Sequence, residues 1–222
     1  MLSNLFNQTF FLKEIMKPFV LTIGRSLGSG GRIIGKKLAE QLGAQYFDKE
    51  ILALAAKENG LCEAVFKRQD EHVGFFRGVL GQFHNAWGAD DFAPKGLTEE
   101  ALFRMQSDAI QSAAEKGSCV FIGRCADYVL RRHPRLISVF IAADPADRLR
   151  LIMQRNDCDE KTAQKLMEHG DRERASFYNF YSDKPWGVAS TYDLCINSSR
   201  LGFEETAAFI LRFVQQRLAL LQ

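Results

Sequence analysis

The chain has 222 residues, enough to bury roughly 70% of the surface its unfolded form exposes, so one large domain with a real core is expected. Its 29 basic and 27 acidic residues nearly cancel, which argues against a dedicated nucleic-acid or membrane-surface partner. Cys62, Cys119, Cys125, Cys158 and Cys195 are odd in number and lack CxxC spacing, which argues against a disulfide framework or a structural zinc site and points to free thiols in a reducing cytoplasm.

No run approaches the roughly 20 apolar residues needed to span a bilayer. Residues 1–16 alternate Leu and Phe with Asn and Gln and carry no cationic segment or small-residue cleavage site, so a signal peptide is not expected. Met16 stands just before the first strand; translation is expected to begin there, with the earlier residues a loosely packed extension to a single domain over 17–222. The apolar run at 19–23 reads as a buried strand. Gly24, Arg25, Ser26, Leu27, Gly28, Ser29, Gly30, Gly31 and Arg32 follow, and Ile34, Leu38 and Leu42 then fall at i, i+4, i+8 on one helix face. A glycine-rich turn between strand and helix leaves backbone N–H groups and the positive end of the helix dipole aimed at one point, a ready site for phosphate.

Gly43 gives a helix stop, 44–47 a short second strand, and Asp48 a helix cap before a helix over 51–59. Between 61 and 96 many aromatics are broken by glycines, the pattern of a helical insert. A helix capped by Thr98 runs to Gly117, a third strand occupies 118–122, and Gly123 and Arg124 follow at once. A short helix over 128–132, a fourth strand over 136–142, and a helix from Asp144 and Pro145 to about 155 come next. Residues 159–180 read as a long charged helix or helix pair, 181–192 as a loop, 194–196 as a fifth strand and 203–220 as an amphipathic closing helix. Alternating short strands and helices imply a five-stranded parallel α/β sheet with helices on both faces and ligands at the carboxyl ends of the strands. The glycine turn, Asp48 and Gly123–Arg124 all lie at such ends.

Three readings of the glycine turn compete. A plain tight turn needs no ligand. A dinucleotide site has Gly28 and Gly30 at the start of GxGxxG and Asp48 twenty residues after Gly28, but Ile33 stands where the third glycine should be. A nucleoside triphosphate loop wants glycine, four residues, Gly, Lys and then Ser or Thr; with Gly30 as the second glycine, Gly31 replaces the lysine and Arg32 the hydroxyl residue. The cation for the outer phosphates must then come from Arg32, Arg25, Arg172 or Arg174. His72, His84, His133 and His169 lack metal-ligand spacing and read as structural, so no protein metal site is expected. The aromatic group Phe177, Tyr178, Phe180, Tyr181 and Trp186 reads as packing.

Taken in order, Ile23 to Arg32, Phe47 to Glu50, Ile122 to Arg124 and Asp171 to Arg174 resemble the cytidylate kinase-like family, related to the nucleoside monophosphate kinases, over about 17–218. The resemblance implies a P-loop fold with a monophosphate-binding insert at about 61–96 and a helical lid at about 157–190. It also implies transfer of the γ-phosphoryl group of ATP, with Mg²⁺, to a nucleoside monophosphate such as CMP or dCMP. Gly28, Ser29, Gly30, Gly31, Arg32 and Ile33 resemble the ATP phosphate loop, with Arg32 also among the catalytic cations. Asp48 resembles the acidic residue of the acceptor site, Arg124 the arginine on the acceptor phosphate, and Arg172 and Arg174 the lid arginines. Read on their own, Arg172 and Arg174 would be a solvated face paired with Glu168, Asp171 and Glu173. An inactive nucleotide-binding sensor or interaction module of the same fold is the alternative function, favoured by the missing lysine. A homodimer is left open.

Overall fold

The computed structural model describes residues 17–48, 51, 54 and 99–221. The expected extension and start at Met16, the insert at 61–96, Thr98, Cys62, His72, His84 and most of the helix expected over 51–59 lie outside the described residues; Ile51 and Leu54 are helical. Strands β1 (Val20–Arg25), β2 (Gln45–Phe47), β3 (Cys119–Ile122), β4 (Leu136–Ala142) and β5 (Leu194–Asn197) form one sheet in the order β2-β3-β1-β4-β5. Every pairing is parallel, with Ile23 aligned with Ile122 on one side and Val139 on the other. The expected α/β class and sheet are therefore what the chain forms.

Parallel strands are covered on both faces, and period 2 assigns each strand residue to one of them. Leu21, Ile23, Val120, Ile122, Ile137, Val139 and Ile141 face α1 (Gly31–Leu42) and the closing helix α6 (Gly202–Leu220), which contributes Ala207, Ile210, Val214 and Leu218. Val20, Cys119 and Phe121 face α2 (Glu99–Lys116) and the short α3 (Ala126–Val129), meeting Ala109, Ile110, Ala113 and Ala126. On that second face Thr22 and Gly24 follow Val20 where large residues would continue the core. The layer therefore thins toward the carboxyl edge and leaves room for a crevice.

Gly43 ends α1 in the left-handed conformation, φ 61°, with its N–H returned to the helix, as a glycine stop should. The region expected as a long helix or helix pair is one helix of 23 residues, α5 (Glu160–Ser182), capped by Asp159 on the Thr162 N–H and preceded by α4 (Pro145–Asn156). The short helix expected over 128–132 lies earlier, at Ala126–Val129, because the chain turns directly out of β3. Asp144 precedes Pro145 as expected but makes no side-chain cap. Asn197 donates to its Oδ1 at 2.8 Å and Arg200 pairs with its Oδ2 at 3.0 Å, so charged and amide partners outcompete the helix N–H groups.

Among the described residues no helix is long and apolar enough to cross a membrane. The four described cysteines are free thiols. Burial pushes Cys119 up to about 11 and raises Cys125 further, which leaves both as unreactive thiols.

The end of α6 is tied to the start of β4 by a buried cation. Arg135 Nη1 donates to the Leu221 carbonyl at 2.6 Å and the Leu218 carbonyl at 3.4 Å, satisfying acceptors that a helix terminus leaves open. Arg135→Ala is expected to lower unfolding free energy by about 1.5–3 kcal/mol, the range for hydrogen bonds to a charged group, as measured by urea denaturation.

Candidate functional site

The loop from Gly24 to Gly30 leaves β1 and enters α1 under tight steric control. Gly28 and Gly30 have φ of 82° and 77°, a region only glycine enters without strain. Each glycine also has a wall against it. A Cβ on Gly28 would stand 2.7 Å from the Arg148 carbonyl, and one on Gly30 would overlap the Phe203 ring. Inside the loop Ser26 N–H donates to Ile141 O at 3.1 Å, and the Ser29 hydroxyl donates to Ser26 O at 2.9 Å. Ser198 Oγ donates to the Ser29 carbonyl at 2.9 Å. The loop is thus preformed by contacts from β4, α4 and the segment after β5.

Its outer end is held by one carboxylate. Leu27 N–H donates to Asp171 Oδ1 at 2.7 Å, Arg148 Nη2 pairs with Asp171 Oδ2, and Arg174 Nη1 lies 3.6 Å from Oδ1. Arg148 Nε donates in turn to the Leu27 carbonyl at 2.7 Å, and Gly170 lies against the Leu27 side chain. Arg174 Nη1 reaches the Arg25 carbonyl at 3.4 Å. Arg174 faces inward from α5, whereas Arg172 is exposed and stands outside the crevice. Of the two expected lid arginines, the structure brings only Arg174 to the loop. Two positions along a helix lie about 200° apart around its axis, so one helix cannot aim both at one point.

Arg32 and Asp48 meet at the carboxyl ends of β1 and β2. Arg32 Nε lies 2.5 Å from Asp48 Oδ2, while Arg25 Nη2 stands 3.9 Å from Oδ1. Arg32 keeps 46% of its side chain exposed; Arg25 keeps 14%. Burial, followed by the nearby Arg32, lowers the Arg25 pKa against the pull of Asp48. Burial, followed by Arg25, does the same to Arg174. Ile33 sits on the first turn of α1 with its side chain exposed. Of the histidines, His133 Nδ1 accepts from Arg135 N–H at 3.2 Å and His169 pairs with Glu173 at 3.3 Å, both structural contacts.

Directly after β3, Gly123, Arg124 and Cys125 have φ of 69°, 62° and 53° in succession. Two adjacent non-glycine residues in the left-handed region are unfavourable and are held by their surroundings. Ala126 N–H donates to Gly123 O, and the buried Gln106 Nε2 donates to the Arg124 carbonyl at 3.1 Å. Arg124 lines a crevice with Arg25, Gly123, Arg174, Phe177, Trp186 and Tyr192. Its floor is the thinned sheet face, where Gly24 lets Tyr192 and Phe140 approach. Trp186 and Tyr192 both pack on Phe140, with ring centroids 5.1 Å apart in each case.

Asp127 stands at the crevice wall, accepting from the Tyr178 hydroxyl at 2.5 Å. Burial raises its carboxyl above the ordinary range, partly opposed by that hydrogen bond. Sequence reasoning missed Asp127, Arg148 and Asp171 as site residues and placed Tyr178 in packing. Asp171 carried one usable signal, its i, i+3 spacing to Arg174; the others meet partners too distant in sequence for any local pattern. Among the described residues no three His, Cys, Asp or Glu side chains come together to hold a metal.

Two outcomes follow from this geometry. Asp171→Ala strands two largely buried guanidinium groups and is expected to cost about 3 kcal/mol in urea denaturation, with Asp171→Asn less damaging because an amide oxygen still accepts from Leu27. Asp127 keeps its proton to higher pH when folded than when unfolded. Stability therefore falls as pH rises above the ordinary carboxyl range, and Asp127→Asn should remove that part of the slope in denaturation curves taken between about pH 4 and 8.

A family model described as the cytidylate kinase-like family matches residues 20–200. The curated proteins contain no match to the chain. Among solved structures, an uncharacterized protein from Eubacterium ventriosum is similar at 28% identity and a TM-score of 0.66, with 88% of this chain and 98% of that one covered. Shikimate kinase from Bacteroides thetaiotaomicron matches at 12% identity and a TM-score of 0.50, over 89% of this chain and 98% of that one. Shikimate kinase from Acinetobacter baumannii, in complex with shikimate, matches at 14% and 0.50, over 93% and 97%. The two shikimate kinases share the fold of this chain, and the family-model match across most of its length makes the chain a member of the cytidylate kinase-like family.

Proposed function

We propose that the crevice transfers the γ-phosphoryl group of ATP to a nucleoside monophosphate of the CMP or dCMP kind. One observation carries the reading: four guanidinium groups, Arg25, Arg32, Arg148 and Arg174, gather at the loop around two carboxylates, Asp48 and Asp171. Two of those cations, Arg25 and Arg174, are held where burial and mutual repulsion disfavour their charge. Such a surplus is relieved by a polyanion, and phosphate oxygens match guanidinium forks.

In this reading the ATP phosphates lie along the amides of Gly28, Ser29, Gly30 and Gly31, with Arg32 and Ile33 opening the helix beneath them. Arg124 grips the acceptor phosphate, and the aromatic rings beside it offer faces for a flat base. An ionised oxygen of the acceptor phosphate attacks the γ-phosphorus, and the bond from γ-phosphorus to the β–γ bridging oxygen breaks with its electron pair leaving on ADP. No proton need move when the acceptor is a dianion. The protein's contribution is alignment and charge neutralisation, which is most of what phosphoryl transfer requires. Arg174 neutralises charge on the transferring group; Arg172, being exposed, contributes only if α5 moves. Asp48 acts through Arg32. Among the described residues no three carboxylate, imidazole or thiol side chains gather to cage Mg²⁺, so the ion enters here as the counter-ion of the triphosphate, and no step is assigned to it.

Gly31 in place of lysine favours a second reading, a module that binds nucleotides without turnover. A panel of nucleoside monophosphates with ATP and Mg²⁺, read by ADP release, separates them: the kinase turns over at least one, the module none. Arg124→Ala should raise the acceptor KM about tenfold to a hundredfold while ATP affinity stays within a few-fold, and unchanged acceptor kinetics would remove Arg124 from the site.

A further inference from the structure

The phosphate loop departs from the triphosphate pattern at three positions, Arg25, Gly31 and Arg32, and the fold puts the first two in contact. With Gly30 as the second glycine, the first glycine of the pattern falls on Arg25 and the lysine falls on Gly31. A Cβ built on Gly31 would stand 2.7 Å from Arg25 Cβ and 2.9 Å from Arg25 Cγ. Those atoms are fixed close to the backbone and cannot swing away as a side-chain tip could. A lysine at position 31 and an arginine at position 25 therefore exclude each other.

We propose that Arg25 and Gly31 are an exchange of the usual glycine and lysine, so that the guanidinium of Arg25 holds the outer phosphates of a bound triphosphate from the opposite end of the loop. The inference rests on the kinase reading above and deepens it by naming the cation. Arg25 leaves the end of β1, runs under Gly31 and ends against Gly123, whose Cα hydrogen side admits it only because no Cβ is there. Its guanidinium thus lies between the loop and the turn that carries Arg124, where donor and acceptor phosphates must meet. Among the described residues it donates no hydrogen bond, and its carboxylate neighbour, Asp48 at 3.9 Å, is closer to Arg32. Arg32 and Arg174 are the rival cations. Arg32 is tied to Asp48 and Arg174 shares Asp171 with Arg148, whereas Arg25 keeps its donors uncommitted within that set.

The test compares ATP and ADP affinities by calorimetry, with thermal melting as a check on folding, in the wild type, Arg25→Gly, Gly31→Lys, and Arg25→Gly combined with Gly31→Lys. Arg25→Gly should weaken ATP about tenfold to a hundredfold and ADP clearly less, because the lost donor faces the outermost phosphate. Gly31→Lys alone should melt earlier than the wild type. The double substitution restores the glycine and the lysine of the ordinary pattern, Arg32 being unchanged in every variant, and should recover ATP affinity at least tenfold over Arg25→Gly, along with the preference over ADP. Equal loss of ATP and ADP in Arg25→Gly, or a folded double variant binding ATP no better than Arg25→Gly, overturns the exchange and leaves the kinase reading standing. Absence of ATP binding by the wild type overturns the kinase reading itself and this inference with it.

Discussion

The site depends on a single carboxylate. Asp171 accepts from the Leu27 amide and draws in Arg148 and Arg174, so a loop from β1, a helix after β4 and the helix after that are joined at one atom pair. Its charge does three things at once. It offsets part of the conformational entropy lost when the glycine loop is ordered, it makes the burial of Arg148 tolerable, and it keeps Arg174 turned inward against the repulsion of Arg25. A surface ion pair could do none of this, since exposed pairs stabilise by only about 0–1 kcal/mol. Asp171 matters because it is four-fifths covered and satisfies a backbone donor as well as charges.

Around that point the fold is arranged by subtraction. Large residues fill both faces of the sheet until Thr22 and Gly24, and from there on the α2 side the chain uses small groups, a reversed turn at residues 123–125 and a ring of aromatics. The crevice is where the core stops being filled, and the polar groups that enter it arrive from four different segments. Membership of the cytidylate kinase-like family and a fold shared with two shikimate kinases agree with such an arrangement. On that fold this chain sets four arginines, Arg25, Arg32, Arg148 and Arg174, around two carboxylates at the glycine loop.

The sheet and its helices were legible because burial on both faces writes itself as apolar runs, and amphipathic helices write themselves at i, i+4. Gly43 and the Gly28–Gly31 turn were legible for a local reason: few residues but glycine take those backbone angles. What escaped was long-range. The Leu27–Asp171 bond spans 144 residues, and the Asp127–Tyr178 bond spans 51, so neither leaves a spacing to find. In the run from Asp171 to Arg174 alternating charges mark a helix, yet only the position of the loop decides that residue 174 turns in and residue 172 out. Asp144 shows the converse failure, a good local cap taken over by Asn197 and Arg200, which arrive from beyond β5.

The 23-residue helix α5 is about 35 Å long, and Gly170 and Asp171, where it grips the loop, fall at its middle. The C-terminal half is anchored as well, the Tyr178 hydroxyl donating to Asp127 at 2.5 Å and the Tyr181 ring stacking on Phe103 of α2 at 3.7 Å. One rod therefore threads the glycine loop, the turn after β3 and α2 on a single line of contacts, so those three segments share one alignment.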